Sequence, residues 1–246
     1  MAQEQIKRWV MAIAISGAVF AVFSVYLYLR RGYYDLYIIN KAFSSASFVV
    51  IGIVLLIGPF CRLYQRFDHW ILYRKELGLV GFAAALAHTV ISLFFLPDKF
   101  AFASFFTYTS FNRGLVPFLF GAGSIILFSI LTVISLEAIK CRIENDAWWR
   151  WQYWGVRIAF VLLFLHLVVM KYPGWISWYV QGGGKELARP FMPPGSIVAG
   201  SFGLFVLLVR LAELVDGKVA KITIPLLFLF LVLFWVESYF WGISAV

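Results

Sequence analysis

Seven apolar runs, each long enough to cross a bilayer as a helix, constrain this chain more than any motif in it. They fall at residues 9–29, 45–61, 77–96, 116–136, 153–171, 195–212 and 222–243. An α-helix rises about 1.5 Å per residue and a bilayer's hydrocarbon core is about 30 Å thick, so roughly 20 apolar residues in a row cross it. In lipid the backbone must satisfy its own hydrogen bonds, which leaves only helices and closed barrels. Runs of this length without alternation predict helices. The expected fold is therefore an all-α, polytopic helix bundle forming one transmembrane domain over residues 1–246. Composition agrees: 63% of residues are hydrophobic and 13% charged, against about half and a quarter in soluble domains. The first run follows Lys7 and Arg8 as a signal peptide would, but it is long and ends in YLYLRRG with no small-x-small site. That pattern predicts a retained anchor.

The net charge of +9 does not point to nucleic acid, because the basic residues lie mostly between the apolar runs, where they set topology. With the N-terminus in the cytoplasm, the inner ends carry twelve of these residues and the outer ends eight, among them Lys41, Arg113 and Lys171. The excess predicts that orientation. The stretch PGWISWYVQGGGKELARPFMPPG (173–195) is then an outer loop, made flexible by Gly182–Gly184, and the C-terminus lies outside. Cys61 and Cys141 are isolated and sit at helix ends on the reducing side. They predict neither a disulfide nor a zinc site.

Two of three histidines are where an imidazole is costly. His88 lies in LGLVGFAAALAHTVISLFFL (77–96) and His166 in WGVRIAFVLLFLHLVVM (154–170). A polar ring in lipid needs a partner, and an intramembrane histidine is a site hypothesis from the outset. Counting helical rise, His88 is about 16 Å from the start of its run and His166 about 19 Å from the start of its own. Both helices run in the same direction, so the rings sit at similar depth. Each histidine alone is explained by a hydrogen bond to a neighbouring helix; the pair at equal depth is explained by one shared cofactor. Haem b fits better than zinc or copper, since two imidazoles suffice as axial ligands whereas zinc wants four.

The residues below His88 on its face are Gly81, Ala84 and Ala85, a bare stripe that offers either a seat for a flat macrocycle or close helix packing. Near the ends of the runs, Arg157 either snorkels to the headgroups or clamps a phosphate or propionate. Arg113 in an outer loop is positioned to meet a haem propionate. Glu237 is expected at the outer interface, and His69 in a solvated loop.

Several segments together resemble the ferric reductase-like transmembrane family, in the branch containing the haem-binding membrane subunit of the bacterial methionine sulfoxide reductase PQ system. They are FSSASFVVIGIVLLIGPFCRLYQRFDHW (43–70), RKELGLVGFAAALAHTVISLFF (74–95), FNRGLVPFLFGAGSIILFSILTVISLEAI (111–139) and AWWRWQYWGVRIAFVLLFLHLVVMKY (147–172). The likeness covers roughly residues 40–172, and it is the order and spacing of the set that is specific. It implies a six-helix core, here with a seventh helix added, in a bacterial inner membrane. It also implies b-type haem held by histidines at the positions of His88 and His166. The family carries another histidine thirteen residues before the later one; this chain has Tyr153 there. The resemblance thus implies one outer haem per chain. At the cytoplasmic face, a flavin or quinone headgroup near Tyr153, Arg150 and Arg157 is the alternative to an inner haem.

The function so implied is transmembrane electron transfer through a single bis-His haem b, as part of a haem-dependent oxidoreductase. Electrons would come from a cytoplasmic or quinone donor and pass to an outer acceptor, either a protein or ferric iron. No G-x-G-x-x-G loop opens a helix, so no dinucleotide-binding domain is expected, and a redox partner protein or quinone must complete the path. The competing function is a non-redox transporter or assembly subunit on the same scaffold without haem. Either protein is surrounded by membrane lipid.

Overall fold

The computed structural model describes residues 2–245. Seven long helices make up the bundle: α1 (Ala2–Arg31), α2 (Leu36–Leu63), α3 (Arg74–Val90), α4 (Leu115–Ile134), α5 (Asn145–Gln181), α6 (Gly195–Val215) and α7 (Gly217–Ser244). A 3-10 segment, Gln65–Tyr73, leads into α3, and a π turn, Ile91–Phe95, continues it. Short helical turns at Ser104–Thr107 and Glu137–Lys140 interrupt two of the connections. Among the described residues there is no strand, and the seven helical segments are each long and apolar enough to span a membrane. The all-α, polytopic architecture is the one the apolar runs predict.

Helix α2 is the hub. It packs against α1, α3 and α6, and more lightly against α5. In its most apolar window 61% of residues are buried, against 17% for α7, which places α7 at the periphery. Phe48, Ile51 and Leu55 of α2 meet Phe160 of α5 and Val206 and Val209 of α6 in the central core. Helices α4 and α5 form a close pair. Helices α6 and α7 form a hairpin joined by Asp216 alone, whose carboxylate caps α7 by accepting from the Lys218 N–H. The outer faces carry large apolar side chains in the open, such as Val22, Phe94, Ile222 and Phe230, each at least two-thirds exposed. A continuous belt of this kind suits lipid as its solvent.

Two helices are longer than their apolar runs. Helix α2 begins at Leu36 rather than near 45, because the Asp35 carboxylate accepts from the Ile38 N–H at 2.8 Å and caps the N-terminus. Asn40 and Lys41 are thereby drawn inside the helix. Helix α5 runs for 37 residues, about 55 Å at the helical rise, and so extends well past its apolar run at both ends. The sequence predicts a loop from 173, yet the helix continues through Pro173 to Gln181. Tertiary anchors outweigh the proline there. The Trp175 indole donates to Ser196 Oγ at 2.9 Å, and the Tyr179 hydroxyl meets Ser238 Oγ at 2.8 Å. Trp178 is buried and donates to the Pro190 carbonyl.

Gly182, at φ +70°, ends the helix, and Gly183 has no room for a Cβ against the Pro190 carbonyl. The glycine run, expected to be slack, is instead held by close approach.

Candidate functional site

His88 sits at the last turn of α3, three residues before the π turn, on the flank of α2. Its Nδ1 is 2.8 Å from Asn40 Oδ1 and 3.2 Å from the Asn40 carbonyl. The Asn40 amide nitrogen is committed to Ser92 Oγ at 2.9 Å, so its oxygen faces the ring. Both available atoms of Asn40 accept, and Nδ1 of His88 therefore carries the proton. Asn40 is 1% exposed and Ser92, inside the π turn, 9%. A buried Asn–Ser pair has a reason to exist in the ring it orients. Interruptions of this π kind recur at functional positions.

His166 is positioned by the α4–α5 pair. A Cβ on Gly121 would lie 2.8 Å from His166 Nδ1 and 3.0 Å from Cε1, so only glycine admits the ring at that distance. Nearby, Ser124 donates to the Ala159 carbonyl at 2.9 Å, and Gly155 receives Leu131. His166 Nδ1 is 2.7 Å from the Pro117 carbonyl and must donate to it. Pro117 lies in the first turn of α4, where its missing N–H removes no helical bond.

The two rings thus share one protonation pattern from unrelated partners. With Nδ1 protonated on each, Nε2 keeps its lone pair, the form in which imidazole binds metal. Among the described residues, no hydrogen-bond partner meets Nε2 of either ring. His166 and Lys171 are near enough to His88 to interact with it electrostatically. Helices α3 and α5 are bridged by α2 and α4 rather than packed directly on one another. Among the described residues no three His, Cys, Asp or Glu side chains gather as a metal-ion site. A donor set of two neutral imidazoles fits a metal whose equatorial ligands come with it, as in haem.

The bare stripe has the less interesting of its two roles. Gly81 faces Val50 and Ile51 of α2, with a Cβ there only 3.1 Å from each side chain, and Ala85 is buried. Helix α2 occupies that side, so the small residues serve helix packing. Arg113 is exposed in the turn before α4, and among the described residues no contact ties it to either histidine. Tyr153 is exposed, and the Arg157 guanidinium lies 3.3 Å from its ring centroid, so its partner is a cation. Arg157 does not snorkel: its side chain is 10% exposed and approaches Glu213. Glu237 and His69 are both exposed, and Cys61 and Cys141 are free thiols.

Asn40, Ser92, Pro117 and Gly121 are absent from the sequence-derived site. Asn40 was hidden because the neighbouring Lys41 reads as the charged end of a span. A glycine within FLFGAGSI gives no sign of what it faces. The chain matches no family model and no curated protein in sequence.

Proposed function

We propose that this protein is a membrane electron-transfer subunit that holds one haem b between His88 and His166. The observation that carries the reading is the common state of the two rings, each donating from Nδ1 to an oxygen on another helix with Nε2 left free. Haem b, when bound, supplies a one-electron ferric–ferrous couple. The chain's own residues do the rest. Asn40 and Pro117 fix the orientation of the two rings and raise their basicity as ligands. Both rings stay neutral, so no unpaired charge is buried in mid-bundle.

His88 and His166 would both be spent in holding the group, which would favour outer-sphere electron transfer over chemistry on a bound substrate. The donor is a cytoplasmic partner or a quinone, and the acceptor lies on the outer side. At the position of Tyr153 no imidazole is present to hold a second haem, and the Tyr153 ring lies under the Arg157 guanidinium.

The test is a dithionite-reduced minus air-oxidised absorption spectrum of the purified protein in detergent. A reducible Soret band is expected in the wild type. Less than a tenth of it should remain in His88→Ala and in His166→Ala, with both variants still eluting as monodisperse species. A wild type without the band, or a band that survives His88→Ala, would overturn the reading.

A further inference from the structure

Three guanidiniums reach one buried carboxylate, with a fourth beside them, at the end of the bundle where α1 begins, the same end at which Arg8 of α1 pairs with Glu76 of α3. Glu213 of α6 is 5% exposed. One of its oxygens is 2.7 Å from Arg62 Nη2, and the other is 2.7 Å from Arg210 Nη1 and 3.9 Å from Arg157 Nη2. Arg74, the first residue of α3, completes the group. Its Nη1 and that of Arg210 lie 4.0 and 3.4 Å from where a Cβ on Gly58 would be, and its charge is felt together with those of Arg157 and Glu213.

The group is over-supplied with positive charge and with donors. One carboxylate compensates one of four guanidiniums. The Arg157 and Arg210 side chains are 10% and 8% exposed. Buried Nε and Nη2 of Arg157 and Nε of Arg210 meet no acceptor among the described residues. Arg157 is also not free to swing toward water, because Nη1 donates to the Tyr153 carbonyl and the guanidinium lies over the Tyr153 ring. Buried charge without compensation is costly, and a buried donor without an acceptor adds to the cost. A polyvalent oxyanion removes both costs at once. Planar guanidinium forks match phosphate oxygens, several of which accept together. The site also lies at a helix-end level, where lipid phosphates are found beside basic residues.

We infer that Arg74, Arg157 and Arg210, whose charge Glu213 offsets only in part, form a binding site for a phosphate group, carried either by a phospholipid headgroup or by a soluble phosphorylated molecule. The site does not depend on haem: loss of the haem reading leaves it standing, and its own failure leaves the histidine pair untouched.

The full-length protein tests it in two arms. Native mass spectrometry from mild detergent reads retained phospholipid. Calorimetric titration of delipidated protein compares inorganic phosphate with chloride at matched ionic strength. A retained phospholipid adduct that delipidation removes identifies a lipid source. Phosphate-specific binding without such an adduct identifies a soluble one. In either case Arg157→Gln should weaken binding at least about tenfold, the scale of a lost charge-assisted bond, and Glu213→Gln, which removes the competing carboxylate, should tighten it. Should Arg157→Gln fail to fold, Arg157→Lys, which keeps the charge and loses the fork, should give an intermediate affinity. A wild type that retains no phospholipid and does not distinguish phosphate from chloride overturns the inference. So does binding that Arg157→Gln and Glu213→Gln leave unchanged.

Discussion

At His88 and His166 each ring donates to oxygen from one residue on a neighbouring helix, whereas at Glu213 three guanidiniums share one carboxylate and a fourth lies beside them. Both regions bury polar groups, but they differ in what each group depends on. A neutral imidazole with its donor satisfied stands by itself in an apolar bundle. Its deletion should fall chiefly on what the ring holds. A charged cluster stands only by mutual compensation, so deletion of one member should fall on the fold.

The sharpest break between the two regions is therefore in stability. Glu213→Ala leaves buried arginines with no counter-charge and should lower unfolding free energy by about 3–5 kcal/mol, measured by denaturation in detergent. A loss under about 1 kcal/mol would mean that the cluster is compensated by something other than Glu213. Next in size is Gly121→Val, which drives a side chain into the His166 ring and should cost about 1–3 kcal/mol together with the haem band. Gly174→Ala is its control on the next helix, since nothing lies within 4 Å of the added Cβ. That change should be neutral or favourable by up to about 1 kcal/mol.

Comparable in its effect on the fold, Asn40→Leu strips the His88 N–H and Ser92 of their partner. A destabilisation of about 1–3 kcal/mol is expected, with haem affinity lowered about 10–100-fold. An unchanged affinity would mean that the Asn40 bond only packs α3 against α2. Least of all, Arg113→Gln should shift stability by no more than about 0.5 kcal/mol and leave haem content as it is. A loss of haem in that variant would return Arg113 to the site.

The helix count was legible because a span needs only length and apolarity, and all seven runs have both. The ends were less so. Asp35 caps α2 well upstream of its apolar run, and Trp175, Trp178 and Tyr179 carry α5 through Pro173 by contacts with residues distant in sequence. Periodicity carries no trace of such contacts. The two histidines stood out because their cost in lipid is a property of the residue itself. Their partners did not. Pro117 contributes only a backbone carbonyl, Gly121 contributes the absence of a side chain, and Asn40 lies beside a lysine that reads as a boundary. Arg157 was visible as a cation within a span, but its counter-ion Glu213 lies on the next helix, near the end of α6.

One number bears most directly on the proposed haem site: the haem-to-protein ratio of purified wild-type protein, from the pyridine haemochrome assay against amino-acid analysis. A ratio of about one is expected, from one pair of free imidazole nitrogens with a closed donor set of two. A ratio near zero would contradict the site at His88 and His166. A ratio near two would contradict the assignment of Tyr153 to Arg157 and require a second pair of ligands.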